Sequence, residues 1–127
     1  MVMVPGELKY TKEHEWIKIE GDEAVLGITD HAQSELGDIT FIELPEPGRE
    51  IRQSENFATI ESVKAASDVY APVSGKIVAV NDSLQDTPEA MNRSPYGDGW
   101  ICRISIADAG ELDGLMDAGT YENYLKE

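Results

Sequence analysis

Turn formers cut this chain into short apolar segments, and that spacing restricts the fold more than any other feature. Trp16-Ile17-Lys18-Ile19 reads as a strand. Gly21-Asp22 turns the chain and Ala24 to Ile28 returns it, which predicts a hairpin with a short loop. Asp38 to Leu44, Phe57 to Val63, Val69 to Val73, Lys76 to Val80 and Gly99 to Ile106 follow as further strands. Pro45, Pro47 and Gly48, and later Ser74-Gly75, separate them. Helical signals are fewer. Thr29 or Asp30 caps a short helix that Gly37 closes, and Asp30 with Gln33 fits a capping box. Asp108 with Glu111 fits a second box, and Leu112, Leu115 and Met116 share one helical face. Thr120 caps a last short helix carrying Tyr121, Tyr124 and Leu125. Asn81 to Pro95 is polar, holds two prolines and reads as loop. The expectation is a mainly β chain, a barrel or sandwich of short strands, with a short internal helix and helices at the C-terminus. A length of 127 residues suits one domain over residues 1–127 with its own core.

Charge narrows the partners. Acidic residues number 25 against 10 basic ones, a net charge of −15. Such a surface repels phosphate backbones, so nucleic acid is not an expected partner, and basic protein surfaces are favoured instead. Acidity also aids solubility whatever the partner. Cys102 is the one cysteine, which rules out an intramolecular disulfide and suits a small packing residue in a strand. Met1 to Leu8 shows no basic run followed by an apolar stretch, and no apolar run approaches the ~20 residues of a membrane helix. A cytoplasmic chain without membrane contact, or a mature form already trimmed, is expected.

Most catalytic and metal-binding patterns fail on inspection. His14 and His31 stand apart from each other and from Cys102, so no zinc spacing exists. His14 is expected as a surface polar residue and His31 on a helix face. Gly75-Lys76 resembles the end of a phosphate loop, but Tyr70 occupies the position of the first glycine and Ile77 follows the lysine. Gly97-Asp98-Gly99 lacks the third glycine of a dinucleotide fingerprint, and Asn81 to Asp86 lacks the glycine of a calcium loop.

The informative stretch runs from Glu61 to Gly75. Lys64 sits between two apolar runs, at a hairpin tip or its shoulder, among the small residues Ser62, Ala65, Ala66 and Ser67. Small neighbours leave room for an enzyme to bring a bulky activated acyl group to the lysine nitrogen. That nitrogen must first lose a proton, since a free lysine has a pKa of ~10.4. Glu61 and Asp68 flank the lysine and are placed to contact such an enzyme. From spacing alone, an ordinary exposed lysine in a polar turn is the favoured reading.

Glu61-Ser62-Val63-Lys64-Ala65 and Ser67-Asp68-Val69-Tyr70-Ala71-Pro72-Val73-Ser74-Gly75 resemble the lipoylation site of the glycine cleavage system H proteins. Four further blocks match that family in order: Tyr10 to Trp16, Gly27 to Gln33, Phe41 to Pro45, and Pro95 to Trp100. The likeness covers roughly residues 8 to 125. It implies a lipoyl-domain-like hybrid of barrel and sandwich, and a carrier rather than an enzyme. Lipoate would be held as an amide on Lys64, within the modification motif Glu61, Ser62, Val63, Ala65 and Asp68. The implied partners are a lipoate-attaching enzyme, a pyridoxal-phosphate glycine decarboxylase, an aminomethyltransferase and dihydrolipoyl dehydrogenase. In the family, the arm carries an aminomethyl unit between the first two catalysts and is reoxidised by the third. The resemblance also makes Glu15 the carboxylate that receives the arm's amine, with Asp68 a second candidate in the same cleft. The other reading of Glu15 is a solvated residue at the start of a strand. Two alternatives share the carrier chemistry: a lipoyl or biotin domain of another complex, and an H-like protein that only donates lipoate. The former usually show Asp-Lys-Ala or Met-Lys-Met, where this chain has Val63-Lys64-Ala65.

Overall fold

The computed structural model describes residues 3–126, so residues 1, 2 and 127 of the expected domain lie outside the described part. Two antiparallel sheets enclose the core. The larger is built from β1 (Lys9–Tyr10), β2 (Glu15–Glu20), β3 (Glu23–Ile28), β9 (Cys102–Ile106), β8 (Gly75–Val80) and β5 (Glu50–Ile51), in that spatial order. The smaller runs β4 (Ile39–Glu43), β6 (Asn56–Ser62) and β7 (Ala66–Tyr70). The fold is the expected mainly β hybrid of barrel and sandwich.

The hairpin of β2 and β3 forms as its pattern predicts, with Glu20 opposite Glu23 and Glu15 opposite Ile28. Ile17, Leu26 and Ile28 point inward from it and join Ile42, Ile60, Val73, Ile77 and Ile104 in the main core. Gly27 stands opposite Trp16, and a Cβ there would lie 2.6 Å from the indole ring. The bare glycine therefore lets Trp16 lie flat across β3, where its Nε1–H donates to the Pro95 carbonyl. Trp16, Leu8, Tyr10 and Tyr121 form a second cluster under the C-terminal helix.

Thr29 caps α1 (Asp30–Leu36), its hydroxyl accepting from the Ala32 N–H. The Gln33 side chain does not close the expected capping box; it donates to the Asp30 carboxylate one turn back. Gly37 ends the helix at φ 76° and ψ −154°, a region reserved almost wholly for glycine.

Several expectations fail for reasons of packing. Asn81 to Pro95 is no plain loop: it contains the single-turn helices α2 (Ser83–Asp86) and α3 (Ala90–Arg93). Leu84, Ala90 and Met91 are buried there, so three apolar residues anchor a segment whose average is polar. The strand expected over Val69 to Val73 is β7, which begins and ends three residues earlier. Ala71 and Val73 remain buried, but Pro72 has no N–H to give a ladder. The strand expected from Gly99 begins at Cys102. Leu112, Leu115 and Met116 do not share a helix: Ala109–Gly114 is a 3-10 turn, and Met116 pairs in extended form with Tyr10. Asp117, not Thr120, caps α4 (Ala118–Leu125) by accepting the Thr120 N–H. The two-residue strands β1 and β5 are too short to leave a period in the sequence.

Candidate functional site

β6 and β7 form a hairpin whose tip is Val63-Lys64-Ala65. Ser62 builds the tip. Its hydroxyl accepts the N–H of Lys64 and of Ala65 and donates to the Ala65 carbonyl, and its own N–H donates to the same carbonyl at 2.8 Å. Local serine bonding of this kind favours turns over continued strand. The Val63 N–H donates to the Asp38 carbonyl, which ties the tip to the chain leaving α1. Val63 keeps its side chain in solvent, 68% exposed, and Lys64, Ala65 and Ala66 are exposed beside it. The Lys64 stem passes over Gly37, with Cε 3.3 Å from where a Cβ would sit. Lys64 thus spans the gap between the hairpin tip and the end of α1. Glu61 is exposed, and its carbonyl accepts from Thr40.

A cleft of about 530 Å³ opens along β7 from this gap. That volume falls within the range of small-ligand sites. Ala66 to Tyr70 form one wall, and His31, Ala32, Glu35 and Leu36 of α1 another. Glu13, His14 and Glu15 line it as well. β7 is the edge of its sheet, so alternate residues turn backbone groups towards the cleft; the Tyr70 N–H donates to Glu15 Oε2 at 3.0 Å. Asp68 sits on the wall, exposed, its carboxylate accepting weakly from Thr59.

Glu15 is the unusual group. It is 3% exposed. Thr11 donates to Oε1 and Tyr70 to Oε2, yet among the described residues no cation pairs with it. Burial pushes its carboxyl up to about 7, against the smaller opposing effect of those two hydrogen bonds. A solvated residue at the head of a strand would show none of this. A cation delivered into the cleft would meet a carboxylate that has already lost its water.

His14 is not the surface residue its polarity suggested. It is half-buried at φ 69°, and its Nδ1 lies 2.8 Å from the Tyr121 hydroxyl. The His31 ring stands 4.5 Å away, centroid to centroid. Burial first, then the His31 neighbour, depresses the His14 pKa and keeps that ring neutral, against the pull of Glu13 and Glu35. Cys102 is buried, as expected of a packing residue, and burial pushes its thiol up to about 12. No group of three metal-ligating side chains occurs among the described residues, and no helix there is long and apolar enough to cross a membrane.

The sequence pattern of the family described as glycine cleavage H-protein matches residues 8–127. The chain belongs to that family. It is 52% identical over its whole length to the glycine cleavage system H protein of Symbiobacterium thermophilum, covering 99% of that protein. It is 54% identical over 97% of its length to the H protein of Bacillus licheniformis, covering 97% of that chain. Among solved structures, the H protein of Mycobacterium marinum superposes with a TM-score of 0.90 at 36% identity, over 98% of this chain and all of that one. The H-protein family is a lipoyl carrier without catalytic activity of its own, so the chain has a shuttle role in glycine cleavage and works with the other components of that system. Tyr70 of β7 and His31 and Leu36 of α1 meet the local group Thr11, His14 and Glu15 only in three dimensions. No spacing in the sequence links positions 11–15 to 70, although the His14-Glu15-Trp16 block did lie within the family likeness.

Proposed function

We propose that Lys64 carries lipoate as an amide and that the loaded arm rests along β7 with its amine against Glu15. The observation that carries this reading is one exposed lysine on a small-residue hairpin tip, beside a cleft lined by a buried carboxylate without a cation. The span fits. Ala66 to Tyr70 covers about 13 Å at ~3.3 Å per residue, comparable with a lysine stem extended by a medium-length acyl chain. Ile28, Ala32, Leu36, Ile60 and Val69 give that chain apolar surface. When bound, the lipoyl group supplies a sulfur terminus that takes up and releases the amine-bearing one-carbon unit.

The protein's own residues do the rest. Ser62 fixes the tip, so a modifying enzyme meets Lys64 at a defined place. Glu61, Val63, Ala65 and Asp68 complete the surface offered to that enzyme. Glu15 receives the amine cation, and Asp68 adds negative charge on the cleft wall. Donation and acceptance of the unit fall to glycine decarboxylase and aminomethyltransferase, and reoxidation to dihydrolipoyl dehydrogenase. A cytoplasmic setting matches the bacterial relatives.

The test is peptide mapping after reaction with a lipoate ligase. Lipoate is expected on Lys64 alone, and label on Lys9, Lys12, Lys18, Lys76 or Lys126 overturns the assignment. Lys64→Arg should abolish carrier activity and change stability by under ~0.5 kcal/mol, since an exposed side chain is replaced. A large fall in melting temperature would make Lys64 structural instead.

A further inference from the structure

The C-terminal helix takes no part in the reading above, yet its one fully buried side chain reaches both walls of the cleft. Tyr121 of α4 is 0% exposed and lies flat on Tyr10, ring centroids 4.6 Å apart and 5° from parallel. Its hydroxyl is 2.8 Å from His14 Nδ1 and 2.8 Å from Thr29 Oγ1. His14 precedes Glu15 on one wall. Thr29 caps α1, the other wall, and its N–H donates to the His14 carbonyl at 3.0 Å. One phenol therefore joins the two sides of the cleft.

Proton counting fixes the direction of these bonds. Thr29 is 0% exposed, and its oxygen already accepts the Ala32 N–H. Tyr121 is the one acceptor within reach of the Thr29 hydroxyl proton among the described residues. The Tyr121 proton is then left for His14 Nδ1, which must accept. Neutral His14 consequently carries its proton on Nε2. The reverse order would strand the Thr29 proton inside the protein. Tyr121 also helps keep His14 at φ 69°, a left-handed conformation uncommon for a residue with a Cβ.

We propose that Tyr121 is a positioning residue for the arm site: its hydroxyl locks His14 in the Nε2–H form and fixes the Glu15-bearing wall against the cap of α1. The effect on the arm rests on the lipoyl reading above; the lock itself does not. Without the phenolic oxygen, His14 keeps its backbone bonds to Thr11 and Thr29 but its ring loses an anchor, and Glu15, the next residue, loses a fixed approach to the amine. Glu13, Glu15, His31 and Glu35 are the titratable groups around the ring, with Tyr124 packed against it from α4.

Tyr121→Phe keeps the stacking on Tyr10 and removes only the oxygen. The first readout is nitrogen NMR of the His14 imidazole in protein without lipoate. Wild type should show the Nε2–H tautomer, and Tyr121→Phe a mixture of both. The second readout is ammonia release from isolated loaded protein, which should speed up roughly two- to tenfold, the range given by one lost hydrogen bond. Thr29→Ser retains the hydroxyl and should match wild type in both. An unchanged tautomer in Tyr121→Phe, unchanged release, or a Thr29→Ser that behaves like Tyr121→Phe each overturns the proposal. Lipoate found away from Lys64 would overturn the earlier reading and leave the tautomer result standing.

Discussion

Replacing Glu15 by glutamine isolates the free energy of holding an unpaired carboxyl inside the protein. The carboxyl is displaced from 4.5 to about 7, chiefly by burial. At about 1.36 kcal/mol for each pH unit, the ionised form costs the folded protein about 3 kcal/mol. The sign follows from proton binding. Between these two values the folded state holds a proton that the unfolded state has released, so stability falls as pH rises. The Glu15 contribution is fully present below pH 4.5 and is lost by the time pH passes about 7. Glutamine does not ionise. Its amide oxygen can keep the Tyr70 N–H while its NH2 donates to Thr11, with a residual mismatch of about 1 kcal/mol. Glu15→Gln should therefore be more stable than wild type by about 2 kcal/mol at alkaline pH, and on acidification the gap should close and reverse, leaving the variant less stable by about 1 kcal/mol. Urea unfolding of unmodified protein at several pH values measures this difference directly. Two stability curves that stay parallel across this range would refute the claim that Glu15 is a dry, uncompensated carboxyl. The same substitution should weaken protection of the loaded arm, since the amine loses its counter-charge. A variant more stable yet poorer at guarding its cargo would tie the instability to the function.

Three further outcomes follow from named contacts. Gly37→Ala should destabilise by about 1–3 kcal/mol, because φ 76° with ψ −154° suits glycine alone and a new Cβ would press on the Lys64 stem; chemical denaturation measures it, and a neutral effect would refute the strain. Cys102 should resist alkylation in native protein at mildly alkaline pH and react only on unfolding, because burial holds the thiol near 12; equal rates in native and denatured protein would contradict its burial. Association with glycine decarboxylase should slow as salt rises, since a net charge of −15 steers encounter and is screened beyond about 8 Å at physiological ionic strength; a salt-independent on-rate would remove electrostatic steering from the account.

Local chemistry made much of this protein legible in its sequence. The β2–β3 hairpin follows from two short apolar runs on either side of Gly21-Asp22, and α1 from Thr29 and Gly37 at its ends. These signals act within a few residues, so they survive without tertiary context. The hairpin tip at Lys64 belongs to the same class, since Ser62 builds it from its nearest neighbours. Where apolar anchors are sparse, local signals no longer decide the structure. Leu84, Ala90 and Met91 turn a polar, proline-containing stretch into two helical turns because the core accepts them. Met116 leaves its apparent helical face to pair with Tyr10, far away in sequence.

Sequence alone determined the class of fold, the acidity and the lysine, together with the family likeness that gave that lysine a meaning. Only the tertiary structure decided what Glu15, His14 and Tyr121 are. Each is an ordinary polar residue until the chain closes on it. Glu15 gains its raised carboxyl from walls contributed by β7 and α1, and His14 and Tyr121 meet across 107 positions. Desolvation depends on what surrounds a group from every side, and the surroundings of these three come from the two ends and the middle of the chain at once.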